Sequence, residues 1–187
     1  MLAACGDEES KKDTTKEDTE QGIAVDKGLL DVELTLPAEL FEGQTADEIT
    51  ANAKEEGVKE VTVNEDGTVN YKMSKSAHKK MMEEMKQGII ESITDIVNSD
   101  DYPSIKEVSY NKDFTEFDLT LDRAAYENSM DGFVLFALAI SGTYYSAFDG
   151  KSDDIKLTMN LIDEATGEVF DTAVFPDDME ETEATEE

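Results

Sequence analysis

Residues 59–97 decide the fold, and they read KEVTVNEDGTVNYKMSKSAHKKMMEEMKQGIIESITDIV. The segments 59–64 and 68–73 alternate apolar and polar side chains, which is the period of a strand with one face in water. Between them, residues 65–67 are Glu-Asp-Gly, and an Asp-Gly pair supplies the positive φ angles that a tight turn needs. The stretch therefore predicts a β-hairpin that leads directly into a helix.

The helix after this hairpin is predicted over 74–97, with Ser74 as its N-cap. Its apolar residues recur at intervals of three and four positions, which places them on one face. They are Met81, Met82, Met85, Ile89, Ile93, Ile96 and Val97. The methionines at this spacing indicate core filling more than an adaptable binding groove.

Upstream of this stretch the chain predicts one more strand and one more helix. Residues 29–36 alternate Leu and Val with Asp, Glu and Thr, and Pro37 ends the strand. A capping box from Thr45 to Glu48 opens a helix, and Gly57 stands where a C-terminal stop is expected.

Downstream, two further hairpins and a helix are predicted. The first hairpin pairs 105–110 with 114–121, and the second pairs 155–162 with 168–175 around an Asp-Glu-Ala-Thr-Gly turn. Helical sequence occupies 129–147 between them. The chain thus runs through one strand and then three cycles of helix and hairpin.

The helix 129–147 contains a run from Phe133 to Ile140 that is apolar on every side. A helix that is apolar all round is a buried one, so we predict it as the central core helix, with Phe136 and Ile140 among the most buried residues. The run is far shorter than the ~20 apolar residues of a membrane span.

These elements predict an α+β fold. Hairpins impose antiparallel pairing, and each hairpin supplies one apolar and one polar face. We therefore expect a two-layer domain in which an antiparallel sheet of about seven strands has its helices packed on one face.

The first residues form a short motif of small side chains followed by the only cysteine of the chain. Leu2-Ala3-Ala4-Cys5-Gly6 resembles the lipobox of bacterial lipoprotein precursors, in which two small residues precede a Cys that receives a diacylglyceryl group. The resemblance implies that Cys5 is the lipidated residue and the membrane anchor. It also implies a signal peptide ahead of the box in the full precursor and an extracytoplasmic location on the outer face of the cytoplasmic membrane.

The chain as a whole resembles lipidated extracytoplasmic lipoproteins of low-GC Gram-positive bacteria, a group that implies no particular activity. We expect 1–5 to be a remnant lipobox, 6–25 a disordered polar tether, 26–176 a single α+β domain and 177–187 a disordered acidic tail. A tether of this length spans about 20–25 Å r.m.s., which would hold the domain just off the bilayer.

Charge and composition exclude several functions. Lys and Arg number 16 against 46 Asp and Glu, a formal net charge of -30, and such a chain repels phosphate backbones, so nucleic acid is excluded as a partner. With one Cys and one His in the chain, no internal disulfide, Cys/His zinc site or iron–sulfur cluster is available. We expect no cofactor and no metal centre.

Catalysis is not favoured by the remaining residues. His78 is the only histidine, and the sequence offers no nucleophile elbow for it, so we expect a semi-exposed residue with its ring at the core edge. Carboxylate pairs occur at Asp31 with Glu33 and at Glu116 with Asp118, but they alternate with core positions and should point into water, away from the apolar wall that acid catalysis needs.

Metal binding is limited to one weak possibility. The EF-hand pattern of carboxylates around a glycine is not met at Gly67, Gly150 or Gly167. The carboxylate-rich turn 149–154 offers at most a weak divalent-cation site, and such a turn is more often simply solvated.

The polar face of the predicted sheet is the candidate binding surface. It is acidic, and we expect a basic protein partner or a weak divalent cation to meet it. Its acidic residues are Asp31, Glu33, Glu60, Glu116 and Asp118, and Thr62, Asn70, Lys156 and Asn160 lie on it as well. Solubility alone is the competing explanation of the charge.

Three functions remain open from the sequence. The first is a membrane-anchored lipoprotein that serves as a non-catalytic binding or structural module. The second is an extracytoplasmic carboxylate-dependent hydrolase, which a deep pocket with a buried Asp or Glu would favour. The third is an acidic inhibitor or immunity-type protein that binds a basic partner. The oligomeric state stays open.

Overall fold

The computed structural model of the chain describes residues 23–41, 43–55, 57–151 and 155–178. Helices and strands alternate along it, as the hairpin and helix signals predict. The strands are β1 (Ala24–Lys27), β2 (Asp31–Leu36), β3 (Glu60–Val63), β4 (Val69–Ser74), β5 (Ile105–Tyr110), β6 (Glu116–Leu121), β7 (Leu157–Asp163) and β8 (Val169–Phe175). The helices are α1 (Ala46–Glu55), α2 (Lys75–Asn98), α3 (Arg123–Tyr126) and α4 (Phe133–Phe148), with a 3-10 turn at Ala38–Phe41.

All three predicted hairpins are confirmed as antiparallel pairs, namely β3 with β4, β5 with β6 and β7 with β8. The first shows why. Gly67 has a φ of 87°, which only glycine adopts without strain, and the Asp66 carboxylate accepts hydrogen bonds from the backbone N–H and the hydroxyl of Thr68. Ser74 caps α2 as predicted, since its hydroxyl accepts from the N–H of Ala77 at 3.1 Å.

The α+β class is confirmed, but the single antiparallel sheet of about seven strands is wrong. The described residues form two four-stranded sheets, sheet A in the order β1-β2-β4-β3 and sheet B in the order β5-β6-β7-β8. Sheet A is antiparallel throughout, whereas β6 and β7 of sheet B run parallel.

The long helix explains the two sheets. With 24 residues α2 is about 36 Å long, so it carries the chain away from β4 and β5 begins a new sheet. After β6, the helices α3 and α4 return the chain to the same end of sheet B. The strand β7 therefore starts beside the start of β6 and pairs with it in parallel, with Glu116 opposite Thr158.

The boundaries of the folded part differ from the prediction at both ends. The predicted tether 6–25 includes the first two residues of β1, Ala24 and Val25, yet Ile23 is buried and Ala24 already pairs with β2. At the other end Asp177, assigned to the disordered tail 177–187, pairs with Lys156 at 2.6 Å. Residues 1–22 and 179–187 lie outside the described residues.

Two hydrophobic clusters lie on the apolar faces of the two sheets. One contains the buried residues of β2 and β4 together with Ile49 and Ala53 of α1, and the other contains those of β5, β6 and β7. Both long helices span the two clusters. Met81 of α2 packs on the first cluster and Ile93 joins the second, whereas α4 begins in the second and ends in the first with Ala147. The helices therefore run in opposite directions.

The prediction that α4 is buried all round is wrong. Only one side of it is buried, and that side includes small residues, namely Ala139, Gly142, Ser146 and Ala147. Phe136 and Ile140, predicted among the most buried residues, are 45% and 41% exposed. When every side of a helix is apolar, the sequence pattern does not show which side will be buried. In α4 the buried side is the one with small side chains, because they allow the closest contact with sheet B.

Leu30 is an apolar position of the predicted strand 29–36 but lies outside the observed strand β2. It lies in the loop between β1 and β2 and is 76% exposed, because the strand begins one residue later at Asp31. Among the described residues, none of the helices has both the length and the apolar content that crossing a membrane requires.

Candidate functional site

Three of the five predicted acidic face residues come together on the polar face of sheet A. Glu33 of β2 and Glu60 of β3 both lie opposite Lys72 of β4, and Lys72 Nζ is 3.3 Å from Glu33 Oε1. Lys59 Nζ is 2.6 Å from Asp31 Oδ1. The lysines therefore offset part of the negative charge of this face.

The pKa shifts on this face follow from the same contacts. The hydrogen bond from Lys59 lowers the pKa of Asp31. The hydrogen bond to Glu33, together with the charge of Glu60, raises the pKa of Lys72. Each shift stabilises the charged form of its own group, the carboxylate of Asp31 and the ammonium of Lys72.

The other two predicted residues, Glu116 and Asp118, lie on sheet B, so the single acidic face is wrong. Asp118 belongs to a ladder of side-chain hydrogen bonds that crosses three strands, because its Oδ1 accepts from Asn160 Nδ2 at 2.8 Å. Asn160 Oδ1 in turn accepts from the hydroxyl of Thr172 at 3.3 Å. Period-two alternation gave each strand its polar face correctly but could not tell that the strands belong to two sheets.

The surface that stands out is apolar and lies on α4. Four large side chains on one side of this helix are exposed, at intervals of three, four and four residues. They are Phe133, Phe136, Ile140 and Tyr144, and we call them the α4 stripe. Met130, just before the helix, is 71% exposed and continues the same surface.

A cleft of about 480 Å³ lies at the N-terminal end of the α4 stripe. Its lining is nearly all apolar and includes Phe175, the last residue of β8. The full lining is Ser129, Met130, Gly132, Phe133, Leu135, Phe136 and Phe175. This volume lies within the range of about 300–1,000 Å³ typical of binding pockets, and we call it the apolar cleft.

A buried polar pair fixes the N-terminal end of α4. The carboxylate of Asp131, two residues before the helix, is buried and accepts from Ser104 twice, from the backbone N–H at 3.0 Å and from the hydroxyl at 2.5 Å. Ser104 is itself fully buried at the start of β5, and its carbonyl accepts from the N–H of Asp122. A buried carboxylate held in this way positions the apolar cleft against sheet B.

The middle of α4 is held by close packing at Gly142. A Cβ at this position would lie 2.3 Å from Leu157 Cδ2 and 2.3 Å from the carbonyl oxygen of Phe114. No side chain fits there, so the helix backbone rests directly on sheet B.

His78 holds the C-terminal end of α4. Its Nε2 lies 2.9 Å from the carbonyl oxygen of Phe148, and because a carbonyl only accepts, Nε2 carries the hydrogen. His78 is 6% exposed, so the prediction of a semi-exposed residue is wrong. Its partner is a backbone atom 70 positions away, and no residue type in the sequence marks such a partner.

The candidates for metal chemistry gain no support from the geometry. Asp149, from the turn predicted as a weak cation site, accepts from Lys27 at 3.0 Å, and positions 152–154 lie outside the described residues. Within the part of the chain that the structure describes, no group of three or more His, Cys, Asp or Glu is arranged to hold a metal ion.

Comparison with protein-family models, with curated proteins and with solved structures finds no match to this chain. The function is therefore argued from the α4 stripe and the apolar cleft themselves.

Proposed function

We propose that this protein is an extracytoplasmic lipoprotein, anchored to the outer face of the cytoplasmic membrane through lipidated Cys5, whose domain is a non-catalytic binding module. The observation that carries the binding role is the α4 stripe. Large exposed apolar surfaces mark interaction sites on proteins that otherwise stay in water. The chain has a net charge of -30, so a continuous apolar surface contrasts with the overall acidic character of the protein.

The three anchors of α4 support a binding role for this surface. The Asp131–Ser104 pair, the close contact at Gly142 and the His78 bond hold both ends and the middle of the helix. The stripe and the cleft are therefore presented in one geometry. A preformed apolar site loses less conformational entropy on binding than a mobile one.

The composition of the apolar cleft favours binding over hydrolysis. Its described lining contains one hydroxyl, that of Ser129, and no ionisable side chain. The nearest buried carboxylate in sequence, Asp131, is engaged by Ser104 and is not part of the lining. An acid–base mechanism needs an ionisable group within hydrogen-bond reach of the substrate, and this cleft supplies none.

The anchor is tested in cells that express the protein from its chromosomal locus with an epitope tag at the C-terminus. Feeding a clickable fatty-acid analogue should label the wild-type protein and should not label Cys5→Ser. The diacylglyceryl group brings two acyl chains, which meets the two-signal requirement for stable anchoring, so the wild type should also partition into the membrane fraction. Equal labelling of both proteins would refute the lipoprotein assignment.

The apolar site is tested with the purified chain carrying Cys5→Ser. The dye ANS should fluoresce with the folded protein, and the double variant Phe133→Gln with Phe136→Gln should lose most of that signal. A control is Leu29→Gln with Leu30→Gln, which removes two even more exposed apolar side chains from the loop between β1 and β2. If both double variants keep the wild-type fluorescence, the α4 stripe is not an accessible binding surface.

A further inference from the structure

We infer that the turn between β1 and β2, together with the first turns of α2, docks on an anionic lipid bilayer. This inference rests on the anchor proposed above, because a chain tethered through Cys5 stays close to a membrane. Four residues form the docking site, namely Leu29, Leu30, Lys75 and Lys79, and we call them the Leu–Lys corner.

The apolar part of the corner is the tip of the turn. Leu29 is 91% exposed, more than any other large apolar side chain of the described residues, and its neighbour Leu30 is 76% exposed. Neither leucine belongs to the two hydrophobic clusters that the described residues form. Apolar side chains that project in this way are favoured at the boundary between lipid headgroups and acyl chains.

The basic part of the corner lies directly beside the turn. The backbone N–H of Lys75 donates to the carbonyl oxygen of Leu30 at 3.4 Å, and Lys79 follows one helical turn later. Within the described ranges, neither lysine forms an ion pair with a carboxylate. In a chain with 46 acidic residues, two neighbouring lysines without a carboxylate partner favour contact with lipid phosphates.

The position of these lysines in α2 argues against a purely structural role. Lys75 and Lys79 lie in the first two turns of the helix, where the helix dipole is positive and cations are unfavourable. No acidic residue lies in the first turn to offset them. Such violations of a local rule are expected at functional sites. The anionic headgroups of a bilayer would supply the missing negative charge.

Most of the carboxylates next to the corner are already paired. A cleft of about 290 Å³ beside the two leucines is lined by Asp26, Asp31, Glu33 and Lys72. Asp31 pairs with Lys59 at 2.6 Å, and Glu33 pairs with Lys72 at 3.3 Å. Charges more than about 8 Å from the bilayer are screened at physiological salt, so the net charge of -30 does not decide how the corner interacts.

The proposed anchor lies within reach of the corner. Ile23, the first described residue, follows Cys5 by 18 positions, which span at most about 60 Å. A domain held at this distance meets the membrane at a high effective concentration. A contact of two leucines and two lysines is then sufficient to orient the domain on the bilayer.

The test uses the absence of tryptophan from the chain, because a single introduced Trp then reports only on its own surroundings. Leu30→Trp places the reporter in the corner, Val63→Trp at the opposite end of sheet A and Phe136→Trp on the α4 stripe. Each purified chain is coupled through Cys5, its only cysteine, to a maleimide lipid in vesicles of phosphatidylglycerol and phosphatidylcholine. Brominated acyl chains in these vesicles quench any Trp that enters the bilayer.

We expect quenching of Leu30→Trp and a shift of its emission to shorter wavelength. The emission of Val63→Trp and Phe136→Trp should stay as it is without vesicles. Vesicles of phosphatidylcholine alone should quench Leu30→Trp far less, because the lysines then meet no anionic lipid.

A second set of variants tests the lysines in the Leu30→Trp chain. Lys75→Gln with Lys79→Gln should weaken docking by at least about tenfold. The matched control is Lys106→Gln with Lys112→Gln, which removes two exposed lysines from the β5–β6 hairpin and should leave docking unchanged. The first pair of substitutions should not lower the melting temperature, because it removes cations from the positive end of the α2 dipole. A structural role of these lysines would lower it.

The outcomes separate this inference from the proposed function, because chemical coupling replaces lipidation in the cell. No quenching of Leu30→Trp would overturn the docking inference and leave the anchor and the α4 stripe in place. Quenching of Phe136→Trp instead would assign the bilayer to the α4 stripe. Equal quenching of Leu30→Trp without phosphatidylglycerol would overturn the role of the lysines. A dimer of the Cys5→Ser chain in sedimentation, abolished by Leu29→Gln with Leu30→Gln, would assign the leucines to a second copy.

Discussion

Replacing Gly142 by alanine should destabilise the protein, although alanine is the better helix former. The new Cβ would lie 2.3 Å from a buried side-chain carbon of Leu157 and 2.3 Å from the carbonyl oxygen of Phe114. One of these neighbours is backbone, so relief requires α4 to move away from sheet B. Overpacking costs ~1–3 kcal/mol, and the backbone clash places Gly142→Ala near 3, while helix propensity returns about 1. We expect a net loss of about 2 kcal/mol in the free energy of unfolding.

The same substitution in α2 is the matched control for Gly142→Ala. A Cβ on Gly88 meets no atom within 4 Å, so Gly88→Ala gains propensity without a clash and should stabilise by roughly 0.5–1 kcal/mol. Urea unfolding followed by circular dichroism measures both, and the melting temperature should fall by about 4–8 °C in the first variant and rise slightly in the second. If Gly142→Ala is as stable as Gly88→Ala, the close approach of α4 to sheet B is incorrect.

Three further predictions concern polar contacts. His78→Ala removes the donor to the last turn of α4 and should lower the free energy of unfolding by about 1–3 kcal/mol, seen as a lower urea midpoint. Ser104→Ala should cost a similar amount, because the buried carboxylate of Asp131 loses its hydroxyl partner; an unchanged midpoint would show that this pair does not hold the helix. The hydrogen bond from Lys151 lowers the pKa of Asp113 below its ordinary 3.8. Above pH 3.8 the free energy of unfolding of the wild type should therefore exceed that of Asp113→Asn, by less than ~1 kcal/mol because the pair is exposed. The advantage should vanish as the pH falls through the lowered pKa, and thermal melts across acidic pH check this.

Local signals in the sequence predicted the elements well. The Asp66-Gly67 turn, the alternation on either side of it and the Ser74 cap are each contained within a few residues, and all three appear in the structure. The strands that were missed or misplaced lack such signals. Strand β1 is only four residues long and carries Asp26 and Lys27, so its sequence resembles a polar linker.

The arrangement of the elements depends on contacts between distant residues, which no local pattern records. The length and direction of α2 decide whether β4 and β5 belong to one sheet or to two. The exposed side of α4 was equally hidden, because Phe136 and Leu138 are both apolar and only packing assigns one to water and the other to the core. The apolar cleft follows from that choice, so the sequence alone pointed to the acidic strands instead.

The parallel pairing of β6 with β7 has a consequence for the order of folding. The β3–β4 hairpin of sheet A closes through a short loop, with Glu60 and Lys72 paired twelve positions apart, whereas Asp118 and Asn160 at the centre of sheet B are 42 positions apart. Long loops close slowly because more chain entropy is lost before the contacts form. We therefore expect the amide protons of β3 and β4 to become protected in pulsed hydrogen exchange before those of β6 and β7. During synthesis, the β3–β4 hairpin would then have formed while β6 still lacks β7.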